Sequence, residues 1–114
     1  MKPIWFDRAS APKVPIYDGG GVSHRMVTRA GTGYEALGLH VSEGAAGLSG
    51  KGSVVEGRDE IIFILAGGMT IDAGEGPRTL GPEQGVIIPA GMPFDWAAGP
   101  QGWKALVVYT PPLV

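Results

Sequence analysis

The chain has 114 residues, a formal net charge of −2 and a sequence pI of about 5.6. It carries no basic cluster for nucleic acid and no apolar run of the ~18 residues that a membrane span needs. It has no cysteine for disulfides, thiolate zinc or thiol catalysis. Hydrophobic residues at 44% against charged residues at 18% mark a globular chain, and the length fits one domain over 1–114. The opening residues Met1 to Asp7 lack an apolar signal core, so no signal peptide and a cytoplasmic location are expected.

Twenty glycines and ten prolines without a fixed period point to many short strands joined by tight turns. Residues 1–21 read as an arm with one or two edge strands. Its Ile4, Trp5 and Phe6 are too apolar for water and are expected to pack on the body or on a partner chain. The barrel is expected over 22–110. Ser23–Arg29 reads as an edge strand. Tyr34–Ser42 alternates, with Leu37, Leu39 and Val41 on one face and Ala36, Gly38 and His40 on the other. Gly44–Gly52 reads as a loose Gly-rich stretch, and Ser53–Glu56 as a short strand.

Glu60–Leu65 is a strong strand, with a turn expected at Gly67-Gly68 before Met69–Ala73. Turns at Gly74–Pro77 and Gly81-Pro82 bracket a strand at Arg78–Leu80. Val86–Pro89, Phe94–Ala97 and Trp103–Thr110 complete the set. No segment of ~12 residues keeps a helical apolar period free of Gly and Pro. Turn signals every ~8–12 residues indicate an all-β sandwich or barrel.

Two stretches carry a family likeness. Asp59-Glu60-Ile61-Ile62-Phe63-Ile64-Leu65-Ala66-Gly67 matches the end of G-x5-H-x-H-x3,4-E-x6-G, and Gly85-Val86-Ile87-Ile88-Pro89-Ala90-Gly91 matches the centre of G-x5-P-x-G-x2-H-x3-N. Both patterns, in this order, resemble the conserved motifs of the cupin superfamily (RmlC-like proteins). The resemblance covers roughly residues 37–110 and implies a double-stranded β-helix, a jelly-roll-like barrel. Its departures fall on the metal ligands that the resemblance would supply. The paired histidine positions fall on Val54 and Glu56, on Ser53 and Val55, or, counted from Gly44, on Gly50 and Gly52. The second-motif histidine falls on Phe94, its asparagine on Ala98 and its opening glycine on Glu83. Glu60 alone remains, with Glu56 as a substitute. Carboxylates alone suit hard cations rather than redox metals, so no tightly bound transition metal and no cofactor are expected. The Gly-rich approach to Asp-Glu-Ile and the aromatic last strand are most similar to the EutQ family of ethanolamine-utilisation proteins.

In a cupin-like barrel the ligand sits between the sheets. The resemblance then implies a pocket of Glu60, Glu56 and Ile62 against Phe94 and Trp96. A carboxylate there would be kept partly protonated by desolvation and would serve as a general acid or base. The competing reading pairs Glu60 with Arg58, Arg78 or Lys104, or leaves it in water at a strand start. His40 is the second proton-transfer candidate, against a surface role. His24 is a weaker candidate. Phe94 and Trp96 either stack on a planar ligand or fill the space that a metal vacated. Asp95 is expected on a solvated face, and Trp5 and Trp103 in packing or interfaces. The function expected is metal-independent binding of a small organic molecule, with acid–base chemistry by Glu60. The alternatives are an isomerase, lyase or cyclase using Glu60 with His40 or Glu56, or a rearranged metal site. A homodimer through the arm and open edges is expected. No phosphate loop supports a nucleotide site: Gly50-Lys51-Gly52-Ser53 lacks the earlier glycine and a following helix.

Overall fold

A computed structural model describes residues 2–114. Eight strands follow in order: β1 (Lys13–Ile16), β2 (Gly21–Val27), β3 (Gly38–Gly44), β4 (Ser49–Ser53), β5 (Asp59–Asp72), β6 (Arg78–Leu80), β7 (Gly85–Ile88) and β8 (Phe94–Thr110). A 3₁₀ turn at Tyr17–Gly19 and one helical turn, α1 (Arg29–Thr32), are the helical pieces. Thr28 caps α1 by accepting from the Gly31 N–H at 2.9 Å, and Gly33 closes it in the left-handed region at φ 74°. This turn ends β2 at Val27, so the strand expected to reach Arg29 stops two residues short.

All neighbours pair antiparallel, and two long strands organise the barrel. The first half of β5 pairs with β7 and with the second half of β8. The second half of β5 pairs with β6 and with the first half of β8. Together with β1, β2 and β3 on one flank and β4 on the other, this makes two layers that share β5 and β8. The turn expected at Gly67-Gly68 is therefore a bend inside one 14-residue strand, and Phe94–Ala97 and Trp103–Thr110 are one 17-residue strand.

The glycines that read as turns are where these strands fold over from one layer to the other. The register shifts between Ile64 and Ala66 and again between Gly67 and Met69, which are bulges that bend a strand. Gly67 and Gly102 take φ of 67° and 73°. A Cβ on Gly67 would run into the Gly102 carbonyl, and one on Gly102 into the Gly44 carbonyl. Three backbones thus touch at this corner, where a side chain has no room. β4 lies at Ser49–Ser53, earlier than the expected Ser53–Glu56, because Gly50 leaves space for the Trp96 indole that packs on it.

The core between the layers holds Ile62, Ile64, Met69, Ile71, Ile88, Phe94, Trp96 and Trp103. Ile64 is fully buried. The outer face of the first layer is also apolar: Leu39, Val108, Ile61 and Ile87 form one cross-strand row, and Val41, Leu106 and Phe63 the next. Ile87 is 65% exposed on this face. In the arm, Trp5 is 87% exposed, while Ile4 and Phe6 line a groove with Val27, Leu37 and Leu39. No helix among the described residues is long and apolar enough to cross a membrane.

Candidate functional site

Period-two alternation on four adjacent strands aims one set of side chains into a cavity of about 210 Å³ between the layers. β2 contributes Ser23 and Arg25, β3 His40 and Ser42, β5 Glu60 and Ile62, and β8 Val107 and Tyr109. The register makes Arg25 the cross-strand neighbour of His40, and Tyr109 that of Glu60. This volume is somewhat above the ~150 Å³ that encloses a benzene-sized molecule.

Glu60 is 7% exposed. Its Oε2 accepts a hydrogen bond from the Tyr109 hydroxyl at 3.2 Å, while its Oε1 is buried without a partner. Burial pushes the Glu60 carboxyl above its ordinary value, and the Tyr109 bond only partly opposes this. Burial also lifts the Tyr109 hydroxyl far above its usual range, with the neighbouring Glu60 charge adding to it. The ring of His40 lies 5.3 Å from that of Tyr109, edge to face, and its Nδ1 lies 3.5 Å from the Ser23 hydroxyl. Burial, and then the Arg25 charge, lower His40 to about 4, so the imidazole is neutral at physiological pH. Arg25 places a guanidinium in the same wall, with its Nε buried and unpartnered.

The opposite end of the cavity is aromatic. Trp96 and Trp103 pack edge to face at 5.4 Å, and Tyr17 tilts onto Trp96 at 4.9 Å. Trp103 Nε1 donates to the Ser42 hydroxyl at 2.8 Å. Tyr17 closes this end from the arm, with a left-handed φ of 52° that is unusual for a tyrosine. Phe94 and Met69 complete the apolar lining.

The structure brings Glu60, His40, Ile62, Phe94 and Trp96 to one cavity. Glu56 is not among them: it lies exposed in the turn before β5. Val55 and Ser53 line the cavity in its place. Alternation allows only one parity of this segment to face inward, and Glu56 has the other. His24 is buried in β2, which is an inner strand rather than an edge, and alternation turns it away from Ser23 and Arg25. Asp95 accepts from the Gly52 N–H at 2.8 Å and stays outside. Trp103, expected in packing, also lines the cavity. Sequence reasoning missed Tyr109 and Arg25. Tyr109 follows from Trp103 by steps of two along β8. Arg25 had no such signal, because an arginine in a strand reads as solvent-facing.

The metal that the family resemblance implies finds a poor donor set. Among the described residues, Glu60 and His40 are the cavity's only carboxylate and imidazole. Among the described residues no three His, Asp or Glu side chains gather into a group that could hold an ion.

No protein-family model matches the chain, and no curated protein matches it in sequence. Solved structures do match. KdgF from a Halomonas species superposes with a TM-score of 0.80 at 14% identity, covering 94% of both chains. A sugar phosphate isomerase of the cupin superfamily from Silicibacter pomeroyi gives 0.75 at 18% identity, over 93% of this chain and 74% of that one. The polyketide cyclase RemF from Streptomyces resistomycificus gives 0.75 at 20% identity, over 97% and 79%. The chain has the all-β cupin fold.

Proposed function

We propose that the barrel cavity binds a small organic molecule without a metal and exchanges a proton with it through Glu60 and His40. The observation that carries this reading is the Glu60 carboxyl, buried beside Tyr109 with Oε1 facing no protein partner. Buried polar atoms are nearly always satisfied, and an orphan in a cavity is a place for a ligand to bond. Burial pushes the carboxyl up and the imidazole down, which favours the uncharged form of both groups where a ligand would meet them. Tyr109 holds Oε2, so the free Oε1 is the atom that meets the ligand. Trp96 and Trp103 shape the apolar end, where a flat molecule stacks.

The isomerase and the cyclase among the structural neighbours support small-molecule chemistry on this fold. The sparse donor set supports metal independence. The closer likeness to EutQ proteins rests on the Gly-rich approach to Asp59-Glu60-Ile61, the Ile88-Pro89-Ala90-Gly91 segment and the aromatic last strand that ends in Tyr109 and Pro111. A homodimer is supported by the exposed apolar outer face around Phe63, Leu65 and Ile87, and sedimentation analysis tests it.

The test of the cavity reading is a fragment screen by NMR that follows the indole N–H signals of Trp96 and Trp103. Hits that move both signals support it. A diverse library whose hits all leave these indoles unmoved would sink it.

A further inference from the structure

The charges of the cavity are not matched to one another. Among the described residues, Arg25 is the one Lys or Arg side chain lining it, and Glu60 the one carboxylate. Glu60 bonds Tyr109, and the Arg25 Nε is buried without a hydrogen-bond partner. A guanidinium keeps its proton in any protein setting. Arg25 is half-buried and its Nε is a buried donor left without a partner, which is costly, and an anion delivered by a ligand offsets that cost. A guanidinium matches a carboxylate with two parallel N–H bonds. The register sets Arg25 beside His40, with Ser23 two residues away on the same strand face, so a ligand anchored there lies against the proton-transfer groups. Trp96 and Trp103 form the apolar wall at the other end.

Resting on the reading of this cavity as a small-molecule site, we propose that its ligand is a small carboxylic acid with a flat, unsaturated or aromatic body. The carboxylate pairs with Arg25, and the body lies against Trp96 and Trp103. The size fits: a cavity of about 210 Å³ admits a body of one ring rather than a nucleotide or an oligosaccharide. Arg25 is then the specificity residue of the site, and Glu60 the group that meets the body of the acid.

The probes are 4-fluorobenzoate and 4-fluorobenzamide, equal in shape and unlike in charge, followed by fluorine NMR on the intact protein near neutral pH. The wild type should bind the benzoate about tenfold or more tightly than the amide, the scale of one charge-assisted bidentate pair. Arg25→Gln should erase that preference, with circular dichroism reporting the fold. Arg25→Lys should keep part of the preference. Equal binding of both probes by the wild type, or a preference that survives Arg25→Gln, overturns the carboxylate assignment and leaves the cavity reading standing. Failure of both probes to bind also overturns the assignment, and the tryptophan-detected fragment screen then decides the cavity reading separately. Should Arg25→Gln not fold by circular dichroism, the wild-type ratio and Arg25→Lys decide.

Discussion

His40→Gln should remove a specific part of the protein's dependence on pH. His40 is 4% exposed, and its pKa falls from 6.5 to about 4 through burial first and the Arg25 charge second. Below 6.5 the unfolded chain takes up a proton that the folded chain refuses until about 4. The folded state's advantage is therefore complete above 6.5 and drains away as the pH falls towards 4. At about 1.4 kcal/mol per pH unit the ceiling is about 3 kcal/mol. Solvent reaching the cavity trims this to on the order of 2 kcal/mol. The assay is urea unfolding of wild type and His40→Gln at about pH 7, 5.5 and 4.5, with each difference taken at fixed pH. The variant should lose about 2 kcal/mol less than the wild type between the highest and lowest pH. Parallel losses would mean that the ring charges as easily in the fold as out of it, and the placement of His40 in an apolar wall beside Arg25 would be wrong.

Glu60→Gln should act in the opposite sense. Burial raises the folded carboxyl above 4.5, so wild-type stability falls as the pH rises from 4.5 through the folded value. The amide escapes this fall and should melt higher than the wild type at about pH 8, by calorimetry. Tyr109→Phe removes the bond to Oε2. It should cost about 1–2 kcal/mol near neutral pH and move the Glu60 carboxyl titration further up, read by carbon NMR. Gly50→Ala would push a methyl into the Trp96 indole. It should cost about 1–3 kcal/mol and shift tryptophan emission, while Gly47→Ala, with no neighbour near the new methyl, leaves the emission unmoved. Ile64→Ala opens a cavity at a fully buried site and should cost about 2–5 kcal/mol by urea unfolding.

Much of this architecture is legible in the sequence because alternation is a local property. The faces of Leu37 to Ser42 and of Glu60 to Leu65 follow from period two alone, and with them the sharing of one face by Glu60 and Ile62. Gly67 misled because a glycine before a second apolar run reads as a turn. Here the same freedom bends one strand across a corner, and only the contact with Gly102 and Gly44 reveals it. Glu56 misled because two histidine registers of the cupin pattern fit this segment equally well, and strand parity in three dimensions selects Ser53 and Val55. Arg25 acquires meaning only from a cross-strand neighbour 15 residues away along the chain, His40, and the bond that gives Tyr109 its role reaches Glu60 across 49 residues. Such pairings are set by register, which no single strand encodes.

A cavity that works with its own side chains and without a metal calls first for elemental analysis of protein purified without chelator or affinity metal, paired with the same fragment titration before and after chelation. Iron, manganese, nickel and zinc should each stand far below one ion per chain, and chelation should leave the fragment affinities unchanged. A near-stoichiometric metal that is lost in Glu60→Gln, together with fragment binding that disappears on chelation, would contradict metal independence.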